Sequence, residues 1–125
     1  MAHVVVVEDT PDSMKLFRAL LERHGYQVTT LASGEALLDT IRVVRPAAVL
    51  LDIQLPDRDG YELLGDLRAE FGRELTVVAL TAHGLIADRE QAMAAGFDGF
   101  ITKPIDVRAF PDQVAEAIRG REAGA

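Results

Sequence analysis

The sequence predicts an α/β domain built on an open parallel sheet with helices on both faces. Two observations carry that expectation. Apolar runs of strand length alternate with segments of helical periodicity five times in 125 residues, and strands that alternate with helices are joined by crossovers that make them parallel. The runs VVVV, AVLL and TVVAL are continuous rather than alternating, as strands covered on both faces are. The length suits a single hydrophobic core, and neither repeats nor a linker divide the chain.

HVVVVED at residues 3–9 is a β-branched run closed by acids, a buried strand. Asp12 and Ser13 are N-cap types, so the first helix is expected to follow them, with Met14, Phe17, Leu20 and Leu21 on its inner face and Gly25 as its stop. YQVTTL alternates like a half-covered strand. Ser33 is expected to cap a second helix carrying Leu37, Leu38, Ile41 and Val44, which Pro46 ends. AAVLLD is a buried strand closed by Asp52, and after the loop IQLPDRD a third helix capped by Asp59 presents Leu63, Leu64, Leu67 and Phe71. LTVVALT is the fourth strand. GLIADREQAMAAG is helical by propensity with a weak, alanine-rich apolar stripe, so Leu85 and Ile86 at its start read most simply as core contacts, the other reading being a partner surface. FDGFITKP gives a fifth strand and residues 106–119 a last helix, in which Pro111 forces either a late start or a distorted first turn. The domain is expected to span 1–120, with a frayed tail at 121–125 and no output domain.

Composition narrows the function. Twenty Asp plus Glu against thirteen Lys plus Arg give a net charge of −7, the wrong sign for a nucleic-acid binder. With no cysteine there is no disulfide framework, thiolate zinc site or cysteine nucleophile. The opening apolar run of four is too short for a signal sequence or membrane span, so a cytoplasmic protein is expected.

The chemistry lies at the strand ends. In such a sheet, ligands bind outside the carboxyl ends of the strands, and there the chain places Glu8 and Asp9, Asp52, Thr81 and Lys103. Three carboxylates brought together cannot all stay ionised without a compensating cation, and oxygen ligands without His or Cys suit a hard ion such as Mg²⁺. A carboxylate is a competent nucleophile toward phosphorus. Lysine and a threonine hydroxyl can hold the oxygens of a transferred phosphoryl group. An acid pair, a single acid, a hydroxyl and a lysine describe an aspartyl-phosphate site.

VVVVED, LLDIQLPDRDG, VALTA and FITKP, in this order and spacing, resemble the motifs of the response-regulator receiver domains of two-component systems. MKLF and DIQLP carry a finer resemblance to single-domain regulators of the DivK type. The resemblance implies a flavodoxin-like sheet of order 2-1-3-4-5. It implies that Asp52 accepts a phosphoryl group from a histidine kinase or histidine phosphotransferase. Glu8, Asp9, Asp52 and the backbone carbonyl of Gln54 would then hold Mg²⁺, and Thr81 and Lys103 would contact the phosphoryl oxygens. Phe100 falls at the family's switch aromatic, although core packing explains it as well, and the bond before Pro104 is expected to be cis. Gln54 and His83 are candidates for tuning phosphoryl lifetime. Protein partners would be met through the face formed by the fourth helix, fifth strand and fifth helix.

Three other classes fit less well. A dehalogenase-type phosphohydrolase would also use an Asp nucleophile, but needs an acid two residues later, where this chain has Gln54. A dinucleotide-binding domain needs a glycine-rich first turn, and here that turn is EDTPD. A phosphorylation-independent scaffold would not need the full set of acids, hydroxyl and lysine.

Overall fold

The computed structural model describes residues 2–55, 57–82 and 84–123, with no side chains described beyond residue 120. The chain runs β1 (His3–Val7), α1 (Pro11–Arg23), β2 (Gln27–Leu31), α2 (Leu37–Val44), β3 (Ala48–Asp52), α3 (Gly60–Phe71), a 3₁₀ turn (Gly72–Glu74), β4 (Val77–Thr81), α4 (Ile86–Ala95), β5 (Gly99–Thr102) and α5 (Phe110–Ala123). All strand pairs are parallel and the order is β2-β1-β3-β4-β5. The expected fold is the observed one.

The continuous apolar strands are explained by two cores, one on each face of the sheet. Val4 and Val6 of β1 point toward Phe17, Leu21, Phe110 and Val114 of α1 and α5. Val5 and Val7 point toward Leu37, Ile41, Leu63 and Leu67 of α2 and α3. All four valines are fully buried, at roughly 1.5–3 kcal/mol each relative to exposure. Phe17 stacks on Phe110 with centroids 5.2 Å apart, joining α1 to α5.

Several helix starts differ from the sequence expectation. α1 begins at Pro11 with Thr10 as its cap, ahead of Asp12 and Ser13; proline is pre-set for the first helical position and loses nothing there by lacking an N–H. Ser33 does not cap α2. The stretch between β2 and α2 is held in bends instead, with the Gly34 N–H directed at Asp57, and the helix starts only at Leu37. Asp59 does cap α3, accepting from the Tyr61 N–H at 2.7 Å. The last helix takes the late start: Asp106 accepts from the Arg108 and Ala109 N–H groups at 3.0 and 3.3 Å, and α5 opens at Phe110 with Pro111 in its first turn. It runs through Gly120 to Ala123, because a lone glycine costs a helix only about 1 kcal/mol and does not end it.

Candidate phosphoryl-acceptor site

The parallel sheet brings residues far apart in sequence to one edge. Glu8 follows β1 directly, its N–H donating to Leu31 O at 2.9 Å. Asp52 is the last residue of β3 and Thr81 the last of β4. Lys103 follows β5, its N–H bonded to Thr81 O at 2.7 Å, so these two backbones are fixed together. The Lys103–Pro104 peptide is cis.

Lys103 Nζ lies 2.9 Å from Asp52 Oδ2 and 3.1 Å from Glu8 Oε2. One carboxylate oxygen from each of Glu8, Asp9 and Asp52 lies within 4.8 Å of the other two. Glu8 is 0% and Asp52 3% exposed, whereas Asp9 is exposed. Gln54 donates its backbone N–H to Asp52 Oδ1 at 2.8 Å, and Thr10 donates its own to Glu8 Oε1 at 3.3 Å. Burial pushes the Glu8 carboxyl above the usual carboxylate range, only partly opposed by the Lys103 hydrogen bond. For Lys103, burial pulls downward, but hydrogen bonds to Asp52 and Glu8 outweigh it and hold the ammonium above its ordinary value.

Three carboxylates against one ammonium leave the cluster short of positive charge. The donors are hard oxygens with no nitrogen or sulfur ligand among them, which fits Mg²⁺ better than zinc or copper. The loop after β3 is preorganised beside this cluster. Gln54 pairs with Asp59 in an isolated bridge, and the Gly60 N–H donates to Ile53 O at 2.8 Å. A Cβ at position 60 would sit 2.5 Å from the Ile53 Cα, so the close return of the chain requires glycine there.

Sequence reasoning missed Asp57, whose carboxylate accepts from the Gly34 N–H at 3.2 Å and ties the loop after β3 to the loop after β2. No local pattern announces that contact, because only the order of the strands makes the two loops neighbours. Phe100 is half-buried and packs against the α2–α3 core. One side borders a cavity of about 110 Å³ shared with Tyr61, Thr81, Asp88 and Gln91. Its other side borders an outer groove of about 360 Å³ with Leu85 and Ile86. Those two residues are 73% and 78% exposed, which overturns their reading as core contacts: α4 turns its small Ala92, not its first residues, toward the sheet. His83 lies outside the described residues.

An open parallel sheet with three carboxylates gathered at the carboxyl ends of its strands defines a flavodoxin-like α/β domain with an acidic ligand edge. The chain belongs to the response regulator receiver domain family of two-component signalling, which it matches over residues 4–115. It is 38% identical over 112 residues to the polar-differentiation response regulator DivK of Brucella anthropi, an alignment covering 89% of this chain and 91% of that protein. Its fold superimposes on a CheY-like receiver domain from Methanospirillum hungatei with a TM-score of 0.88 at 24% identity, covering 100% and 99% of the two chains. The receiver domain of a Pseudomonas aeruginosa sensor histidine kinase is 33% identical with a TM-score of 0.83, over 94% of this chain and 98% of that one, and carries magnesium in its active-site cleft. Among the described residues no helix is long and apolar enough to cross a membrane.

Proposed function

We propose that Asp52 accepts a phosphoryl group in a Mg²⁺-dependent reaction and that the acyl phosphate switches how the domain meets protein partners. The observation that carries this reading is the buried Asp52–Lys103–Glu8 cluster, with Asp9 completing an acid set that lacks its balancing charge. In the transfer, an Asp52 oxygen forms a bond to phosphorus while the phosphorus–nitrogen bond of a phosphohistidine donor breaks, and the departing imidazole keeps the electron pair. Glu8, Asp9, Asp52 and the Gln54 carbonyl would hold Mg²⁺, which when bound would offset the charge gathered on carboxylate and phosphoryl oxygens. Lys103 holds one phosphoryl oxygen and the Thr81 hydroxyl another.

The fixed contact between the Thr81 and Lys103 backbones lets both groups answer the same event. Drawing Thr81 toward the phosphoryl group reshapes the small cavity beside Phe100, and the ring turns inward. The surface of α4, β5 and α5, with exposed Leu85 and Ile86, then differs between the two states. Moving such an equilibrium from 1% to 99% needs about 5.5 kcal/mol, the size of two or three charge-assisted hydrogen bonds in a partly buried site. The donor is a histidine kinase or histidine phosphotransferase in the cytoplasm. The output is control of a protein target or onward transfer of the phosphoryl group, with Gln54 and His83 setting its lifetime.

Incubation with Mg²⁺ and acetyl phosphate is expected to give an acid-stable, base-labile phosphoryl adduct that is lost in Asp52→Ala and in EDTA. No adduct on the wild-type protein, or an equal yield on Asp52→Ala, contradicts the proposal.

A further inference from the structure

At the opposite end of the sheet from Asp52, one arginine gathers the ends of several elements. Arg68, in the last turns of α3, donates from one guanidinium nitrogen to Gly72 O at 3.0 Å and Leu75 O at 2.6 Å. From the other it donates to Gly96 O at 2.7 Å and Asp98 Oδ2 at 2.9 Å. Asp98 Oδ2 also accepts from the Val77 N–H at 2.9 Å, and the Asp98 N–H returns a bond to Val77 O at 2.7 Å. The two side chains are 17% and 19% exposed, so this ion pair is shielded from solvent screening more than a surface pair would be.

The effect on α4 is asymmetric. Its C-terminal end is held on three sides. Gly96, at a φ of +116° that disfavours other residues, turns the chain out of the helix, Phe97 is buried in the α2–α3 core, and Arg68 grips the Gly96 carbonyl and Asp98. The other end rests on little. Leu85 and Ile86 are exposed, the cap is one 3.3 Å bond from the Leu85 N–H to the Asp88 carboxylate, and the helix buries only Ala92. That loosely held end is the one that follows β4 in the chain, with four residues between Thr81 and Ile86.

We infer that the Arg68–Asp98 pair is the fulcrum of α4, pinning its C-terminal end so that a change at Thr81 is expressed as a swing of its N-terminal half alone. A helix of this length is about 15 Å long, so a small tilt about a fixed end moves Leu85 and Ile86 farthest. Arg68 and Asp98 are thus positioning residues for the switch, remote from its chemistry. The pinned-end part stands on the resting structure; the swing on phosphorylation rests on the function proposed above.

Hydrogen exchange on the full chain separates these parts. In the resting protein the amides of Gly96, Phe97 and Asp98 are expected to exchange more slowly than those of Asp88, Arg89 and Glu90 by about tenfold or more, since one end opens locally and the other does not. Asp98→Asn, which keeps an acceptor for Val77 but loses the ion pair, and Arg68→Lys, which keeps the charge but not the forked geometry, should each erase most of that difference. Both should leave the β1 amides protected. Equal exchange at the two ends of wild-type α4, or an unchanged difference in both variants, overturns the fulcrum. With Mg²⁺ and beryllofluoride as the phosphoryl mimic, wild-type changes should stop before Ala92, whereas in Asp98→Asn they should extend to Asp98. Changes across all of wild-type α4 overturn it as well. If beryllofluoride leaves the Gln54 amide, which donates to the Asp52 carboxylate, unaltered, the function proposed above fails, and the resting difference alone decides the fulcrum.

Discussion

The two ends of the sheet use the same materials to opposite purpose. At one end, Arg68 and Asp98 are matched one to one, and each also bonds the backbone. At the other, Lys103 faces Glu8 and Asp52, with Asp9 close by and, among the described residues, no second cation paired with them. A charge-balanced pair acts as a staple, whereas a buried cluster with excess negative charge stores electrostatic strain that a bound cation can relieve. The contrast teaches that charge balance distinguishes the structural end from the working one.

The most severe way to break this comparison is to remove the staple. Arg68→Met leaves Asp98 and three carbonyls without their donor and is expected to cost about 3 kcal/mol of unfolding free energy. Urea denaturation checks this, and a loss below about 1 kcal/mol would show that the pair does not hold the fold. At the other end, Mg²⁺ should raise the thermal midpoint reversibly on EDTA, by the equivalent of about 2.7 kcal/mol at a hundredfold excess over its dissociation constant. Glu8→Gln should blunt that rise, and an equal rise in the variant would place the ion elsewhere.

Smaller effects sharpen the picture. Ile86→Ser should change stability by less than about 0.5 kcal/mol, because the side chain is 78% exposed; a larger loss would mean that α4 packs more tightly than its exposure implies. Least of all should Glu70→Gln matter, since the Arg42–Glu70 contact lies on the surface. The hydrogen bond from Arg42 holds the Glu70 carboxyl below its ordinary range. Its contribution is therefore present above the unfolded-state value and lost as pH falls through the lower folded one. The wild-type and Glu70→Gln denaturation curves should draw together as the solution is acidified through that range, and in ~1 M salt.

Much of this was legible in the sequence, for local reasons. Continuous β-branched runs specify buried strands, the acids and hydroxyl at the ends of β1, β3 and β4 mark the working edge, and Asp59 announces a helix cap. What the chain hides is decided by contacts between distant segments. Gly34 meets Asp57, and Arg68 meets Asp98, only because the sheet order brings those loops and helix ends together. Pro11 overrode Asp12 and Ser13 because its fixed φ suits the first helical position. Leu85 and Ile86 misled because apolarity alone does not say which side of a helix start faces the sheet.

The central claim is that the Asp52 end is strained by unbalanced charge and the Asp98 end is not. It is tested most directly by urea denaturation of Asp52→Asn and Asp98→Asn, side by side with the wild type in EDTA at neutral pH. Asp52→Asn should stabilise the metal-free protein by about 1 kcal/mol, by leaving Lys103 and Glu8 as a matched pair. Asp98→Asn should destabilise it by about 2 kcal/mol or more. Shifts of the same sign in the two variants would contradict the account.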